Sequence, residues 1–280
     1  MQYSKELAIA KRAAKSAGDY LMTAFGSRNN HISYKSSHEL ITNADIGADK
    51  IIHKMISSAF PKDIILSEEL SPFFAKATNG RPQTIASRLW IVDPLDGTNN
   101  FARNIPIFAV CIALAAPALS FPRKRESHQK QDLKIGAIYL PYSKEMFWAE
   151  RGKGAHLGNK KLHVSKTFEL KDSFILQCHG YSPKDEQTEQ KLISHLKLHG
   201  GITRRLGAAG YELSSVARGN VDAGYIIGTR PWDSAAGALL VREAGGRVTN
   251  FDGKEWGIWD KNILFSNGHI HKKLLEIVSL

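Results

Sequence analysis

Apolar residues recur at helical spacing from the start of the chain. Leu7, Ala10, Ala14, Ala17 and Leu21 would share one face of a helix from about Ser4 to Phe25, with Gly26 where a C-terminal cap belongs. A second helical stretch carries Ile46, Ile51, Ile52, Met55 and Ile56. Thr42 and Asn43 are both suitable N-caps for it, and Pro61 stops it. The period then changes. Short β-type runs at Ile64–Leu66, Leu89–Val92 and Phe108–Ala116 precede two more, Ile135–Leu140 and Met146–Ala149, which flank a turn containing Pro141 and predict a hairpin.

The second half alternates. Strands are predicted near Phe174–Cys178, Ala223–Ile227 and Ile263–Phe265. Helices are predicted near Gln187–Leu198, Ala208–Ala217 and Trp232–Ala244, with a last one at the C-terminus. Strands alternating with helices after a hairpin-rich first half predict a layered mixed α/β chain. With no internal repeat and no Gly/Ser linker, residues 1–280 are expected to form a single domain of two tightly packed halves, about 1–150 and 151–280.

No apolar run approaches the roughly 20 residues of a membrane span. The first residues carry charges throughout their apolar positions, unlike a secretory signal or an anchor. The two cysteines, Cys111 and Cys178, lie far apart in apolar surroundings, which excludes a disulfide scaffold or a zinc ribbon. A cytoplasmic protein without membrane partners is expected. The formal net charge of +11 makes a nucleic-acid partner a secondary possibility. The basic residues are spread along the chain except at residues 120–131, a dense run without apolar periodicity that reads as a loop insertion.

The chemistry concentrates in Trp90-Ile-Val-Asp-Pro-Leu-Asp-Gly-Thr-Asn-Asn-Phe101. An apolar strand runs into Asp93, and Pro94 is expected to break its ladder there, leaving a carboxylate at the edge of a sheet. Asp96 follows across a tight turn, close enough to share a cation with Asp93. Gly97 and Thr98 then offer backbone N–H groups at a helix start, a seat for phosphate. Two hard oxygen ligands beside an anion cradle suit Mg²⁺. Asp45 at a helix start, Glu68 at a strand end and Asp233 at another helix start could complete the site. The helix macrodipole is expected to favour the ionised form of Asp233. Cys178-His179 is not a nucleophile–base pair, because neighbouring strand residues face opposite sides.

The run Asp93–Phe101, with Pro106, Phe108 and Val110, resembles the first signature of the inositol monophosphatase family. Trp232-Asp-Ser-Ala-Ala-Gly237 followed by Glu243-Ala-Gly-Gly246 resembles its second. Lys35, Ile41–Asp45, Ser67-Glu68-Glu69 and Gly152–Ala155 fall in the family's order, so the resemblance spans nearly the whole chain. It implies a layered α-β-α-β-α fold and a magnesium-dependent phosphomonoesterase, usually a homodimer, with two to three Mg²⁺ per site. Carried over, Glu68, Asp93 and the Leu95 carbonyl would hold one ion. Asp93, Asp96 and Asp233 would hold a second, and Glu68 would help place a third. Thr98, Asp45 and Glu68 would be catalytic, Thr98 and Asp45 activating water. Leu95, Asp96, Gly97, Thr98 and Asp233 would contact the substrate, with Gly207, Ala208 and Ala209 on its alcohol side and Lys35 a further possibility. The substrate implied is a small phosphorylated polyol or sugar, first inositol 1-phosphate. Adenosine 3′,5′-bisphosphate, fructose 1,6-bisphosphate and histidinol phosphate are alternatives. One departure bears on specificity. Members acting on inositol phosphate carry a Glu seven residues before the second-signature Asp, and Ile226 stands there, with Arg230 or Tyr225 as possible replacements for its polar contact.

Overall fold

The computed structural model describes residues 2–27, 32–34, 40–69, 88–117, 131–180, 182–198 and 201–279. Lys35 and all of the basic stretch except Gln131 lie outside them. In chain order the elements are α1 (Ser4–Ala24), β1 (Ile32–Tyr34), β2 (Leu40–Thr42), α2 (Asn43–Ala59), β3 (Ile64–Ser67), β4 (Leu89–Asp96) and α3 (Thr98–Ala102). Then come β5 (Ala109–Pro117), β6 (Gln131–Leu140), β7 (Glu145–Glu150), β8 (Ala155–Leu157), β9 (Lys160–Lys161) and β10 (Phe174–His179). The rest are α4 (Pro183–Leu198), β11 (Ile202–Arg204), α5 (Ala209–Ala217), β12 (Ala223–Ile227), α6 (Pro231–Glu243), β13 (Arg247–Thr249), β14 (Asn262–Ser266) and α7 (His271–Val278).

Two sheets carry the fold. The seven-stranded one runs β3-β4-β5-β6-β7-β8-β9 and the five-stranded one β11-β10-β12-β14-β13. Helices α1 and α2 cover the outer face of the larger sheet, where Leu7, Ala10, Ala13, Ala14, Ala17 and Leu21 form the buried stripe of α1. Small residues on that stripe let the helix lie close to the strands. Helices α5 and α6 fill the space between the sheets, and α4 and α7 close the far side of the smaller one. The layers are therefore α-β-α-β-α, as expected.

Capping decides where α2 begins. Thr42 Oγ1 accepts from the Ala44 amide at 3.2 Å, and Asp45 Oδ2 accepts from the Thr42 amide at 2.8 Å. One expected boundary is corrected: β4 does not end at Asp93 but continues to Asp96 through an irregularity. The two- and three-residue strands β1, β2, β8, β9, β11 and β13 went unpredicted because so short a run carries no readable period. Helix α4 begins at Pro183, four residues before the predicted Gln187, because proline is well suited to the first turn.

His271 sits fully buried under β13 and β14, Nε2 3.0 Å from Thr249 Oγ1 and Nδ1 2.8 Å from Ser266 Oγ. Burial, helped by Arg247, pushes its imidazole down to about 4. Between that value and the usual 6.5 the unfolded chain takes up a proton that the folded chain refuses, so stability falls as pH falls through this window. At pH 4.5 the loss relative to pH 7 should reach about 2.5 kcal/mol from this group. Urea unfolding of wild type and His271→Gln at both pH values checks this: the variant should lose less, and equal losses would contradict it.

Candidate active site

The site starts from one extra residue in β4. Asp93 pairs with Cys111 and Asp96 with Ala109, so three steps on β4 match two on β5. In a regular strand residues three apart face opposite sides; the bulge at Pro94-Leu95 returns Asp96 to the face of Asp93. Pro94 has no N–H to lose from the ladder, which suits it to that place. Gly97 follows at φ +86°, and a Cβ there would meet the Ile107 carbonyl at 2.9 Å and the Ala208 Cβ at 3.0 Å. Only glycine fits that turn.

Thr98 opens α3, its Oγ1 2.9 Å from both Asp45 Oδ1 and the Leu95 carbonyl. Asp45, which caps α2 with its other oxygen, therefore reaches the Asp93–Thr98 turn from the other side of the larger sheet. Glu68 leaves the end of β3, beside Ser67, whose hydroxyl donates to the buried Asp49 of α2. Asp49 was not among the predicted residues, since a helix carboxylate eighteen positions from its partner gives no local signal.

Asp96 joins the two halves. Its Oδ1 and Oδ2 accept from the Ala209 and Gly210 amides, each at 2.8 Å, so a residue of β4 caps the helix α5. Gly210 permits the approach: a Cβ there would lie 2.3 Å from Cys111 Sγ. Asp233 lies in the first turn of α6, with Oδ2 accepting from the Arg230 amide at 2.7 Å.

These carboxylates raise one another. Desolvation first, then Glu68, Asp96 and Asp233, push Asp93 well above the usual carboxylate range. Burial raises Asp96 to about 7 against the opposing backbone amides, and desolvation with Glu68 raises Asp233 to about 8. The expected preference of Asp233 for its ionised form is thus corrected. Half a helix charge, and Arg230 beside it, do not offset desolvation and a facing carboxylate. Among the described residues no group of three or more His, Cys, Asp or Glu is drawn in closely enough to hold a metal ion as it stands. The donor chemistry nevertheless fits a hard divalent cation: oxygen ligands on a shared face, each disfavoured as an anion by the others.

On the opposite side, Gly207 takes φ +72°, and the buried Ala208 and Ala209 follow it into α5. Ile226 is 3% exposed and packs in the core between the sheets. Tyr225 is no substitute for a polar group there. It points into the outer core, and its hydroxyl lies 3.2 Å from Gln177 Oε1. Cys178 packs with the inter-sheet core while His179 Nε2 pairs with Glu189 at 2.8 Å, so the two neighbours serve different faces, as expected. Two polar residues had escaped notice. Asn100 Nδ2 donates to the Ile107 and Leu206 carbonyls at 2.9 and 2.8 Å, and the fully buried Glu212 accepts from the Leu206 and Gly207 amides. An acidic residue inside an otherwise small and apolar helix was the available signal for Glu212.

The model of the inositol monophosphatase family matches residues 2–279. The chain belongs to the inositol monophosphatase family. It is 34% identical over 271 residues to the Nus factor SuhB of Salmonella typhimurium, covering 96% of this chain and 94% of that one. It is 31% identical over 265 residues to the fructose-1,6-bisphosphatase/inositol-1-monophosphatase of Thermotoga maritima, covering 95% and 92%. The crystal structure of the extragenic suppressor protein suhB from Bartonella henselae superposes with a TM-score of 0.83 at 33% identity, over 98% of both chains. The protein is accordingly a phosphoric monoester hydrolase of that family, whose members act on phosphorylated sugars or polyols. Among the described residues no helix is long and apolar enough to cross a membrane.

For this family member the carboxylate repulsion gives a measurable pH signature. Groups raised in the folded state bind protons there that the unfolded chain has released, so in EDTA they lower stability as pH rises from about 4 to about 8. Asp93→Asn removes one of the repelling charges and keeps an acceptor for the Leu95 amide. In EDTA the variant should melt about 2–4 °C above wild type at pH 8 and level with it near pH 4. Magnesium should raise the wild-type melting temperature more than the variant's, and the reverse order would contradict the site.

Proposed function

We propose that this protein hydrolyses a small phosphorylated polyol or sugar with magnesium, inositol 1-phosphate to inositol and phosphate being the first substrate to test. The observation that carries the reading is the Thr98 hydroxyl 2.9 Å from Asp45 Oδ1, beside carboxylates that disfavour one another's charge. Glu68, Asp93 and the Leu95 carbonyl would hold one Mg²⁺, Asp93, Asp96 and Asp233 a second, and Glu68 would help place a third. Bound there, magnesium supplies charge neutralisation and a water of lowered pKa.

The chain's own groups then do the rest. Thr98 Oγ1 takes a proton from the attacking water as its own passes to Asp45 Oδ1. The Gly97 and Thr98 amides hold phosphate oxygens. Gly207, Ala208 and Ala209 leave room for the alcohol, with the Ala209 amide already engaged by Asp96. Adenosine 3′,5′-bisphosphate, fructose 1,6-bisphosphate and histidinol phosphate are the alternative substrates, and the name of the Thermotoga relative supports the second of these. A homodimer, as in the family, is part of the proposal. Phosphate release from these esters, with and without magnesium, tests the reading, which fails if no ester is turned over.

Thr98→Ala separates the roles. The amide stays and the hydroxyl goes, so kcat should fall about 10²-fold or more while KM moves little. A rise in KM alone would assign Thr98 to binding only.

A second reading has its own support in the net charge of +11 and in the Nus factor name of the Salmonella relative. A nucleic-acid partner bound through phosphates would lose affinity steeply with salt. Binding of an RNA oligonucleotide at about 50 and 200 mM salt reads this out, and salt-independent or absent binding would remove it.

A further inference from the structure

We propose that Glu212 is the positioning residue that sets discrimination on the alcohol side, by holding the Leu206–Gly207 turn in one shape. This rests on the phosphomonoesterase reading above.

Glu212 Oε1 accepts from the Leu206 and Gly207 amides, both at 3.1 Å. The same turn is held from the other half of the chain, where Asn100 donates to the Leu206 carbonyl at 2.8 Å. The turn is thus pinned at its amides by α5 and at its carbonyl by the segment that follows Gly97. Gly207 keeps its left-handed φ of +72° between those two anchors.

Glu212 also does more than cap. The side chain is fully buried, and Oε2 accepts from none of the described residues. Burying a carboxyl with one oxygen unmatched is costly, and an apolar side chain would avoid that cost if filling space were the whole task. Its place agrees with its task. Cys178 pairs with Ile226 across β10 and β12. Helix α5, which carries Glu212, packs on β12, where position 226 offers no acceptor of its own.

Held this way, the Leu206 and Gly207 amides point at Glu212. Without the carboxyl they are free to turn, and the wall facing the leaving alcohol loses its fixed shape. Substrates whose alcohol fills that side should suffer, and substrates with an undemanding leaving group should not.

The experiment compares inositol 1-phosphate with 4-nitrophenyl phosphate in magnesium-loaded enzyme. Glu212→Leu should lower kcat/KM for inositol 1-phosphate about 10-fold or more, mainly through KM, and leave 4-nitrophenyl phosphate within about 3-fold. Glu212→Gln keeps an acceptor for both amides and should retain the wild-type ratio. A purely structural role would lower both substrates together, and an unchanged ratio in Glu212→Leu overturns the proposal. Should that variant fail to fold, Glu212→Asp withdraws the acceptor by one carbon and must still shift the ratio by about 3-fold; an unchanged ratio overturns the proposal equally. Wild-type protein that releases phosphate from no ester overturns the underlying reading, whereas active wild type with an unchanged ratio overturns only the role of Glu212.

Discussion

The Asp96 carboxylate at the head of α5 is the interaction on which the arrangement turns. It belongs to the larger sheet, yet its two oxygens satisfy the Ala209 and Gly210 amides that open a helix of the second half. Unpaired helix N-terminal amides are costly when buried, and a charged acceptor is the strongest partner they can have. The bond therefore fixes how the second half sits on the first. It also fixes the distance between the phosphate-side turn at Gly97 and the alcohol-side turn at Gly207. Loss of the bulge in β4 would turn Asp96 to the other face and undo both.

The same carboxylate carries a burden. Asp93 and Asp96 of β4 and Asp233 of α6 share one low-dielectric neighbourhood with Glu68 at the end of β3, so these three are raised by burial and by the carboxylates around them. A protein gains nothing in stability from such a cluster. Under the proposed function, a cation held there would relieve the repulsion. The excess of basic residues elsewhere on the chain does not offset this locally, because solvent screens distant charges over about 10 Å at ordinary salt.

Polar support surrounds the cluster on all sides. Asp45 reaches it from α2, Ser67 and Asp49 hold the turn that carries Glu68, and Asn100 with Glu212 holds the turn at Leu206. Apart from the bond of Glu212, whose partner is six residues away, these bonds join separate elements and depend on the layers being stacked as they are.

The sequence by itself determined the helices with a clean apolar stripe, α1 and α2, and the buried strand that leads into Asp93. Periodicity, capping residues and Pro61 are local signals that need no partner. It also singled out the candidate acidic residues, Asp93, Asp96 and Asp233 through two dense signatures and Asp45 and Glu68 by their places at a helix start and a strand end. Only the tertiary structure decided which face Asp96 takes, since a bulge is defined against the neighbouring strand and not along its own. Only it decided that Asp233 resists ionisation, since desolvation depends on what packs above a side chain. Asn100 and Asp49 stayed hidden for the same reason: a buried polar residue is read from its partners, and the carbonyl of Leu206 and the hydroxyl of Ser67 lie across layers that no local window spans.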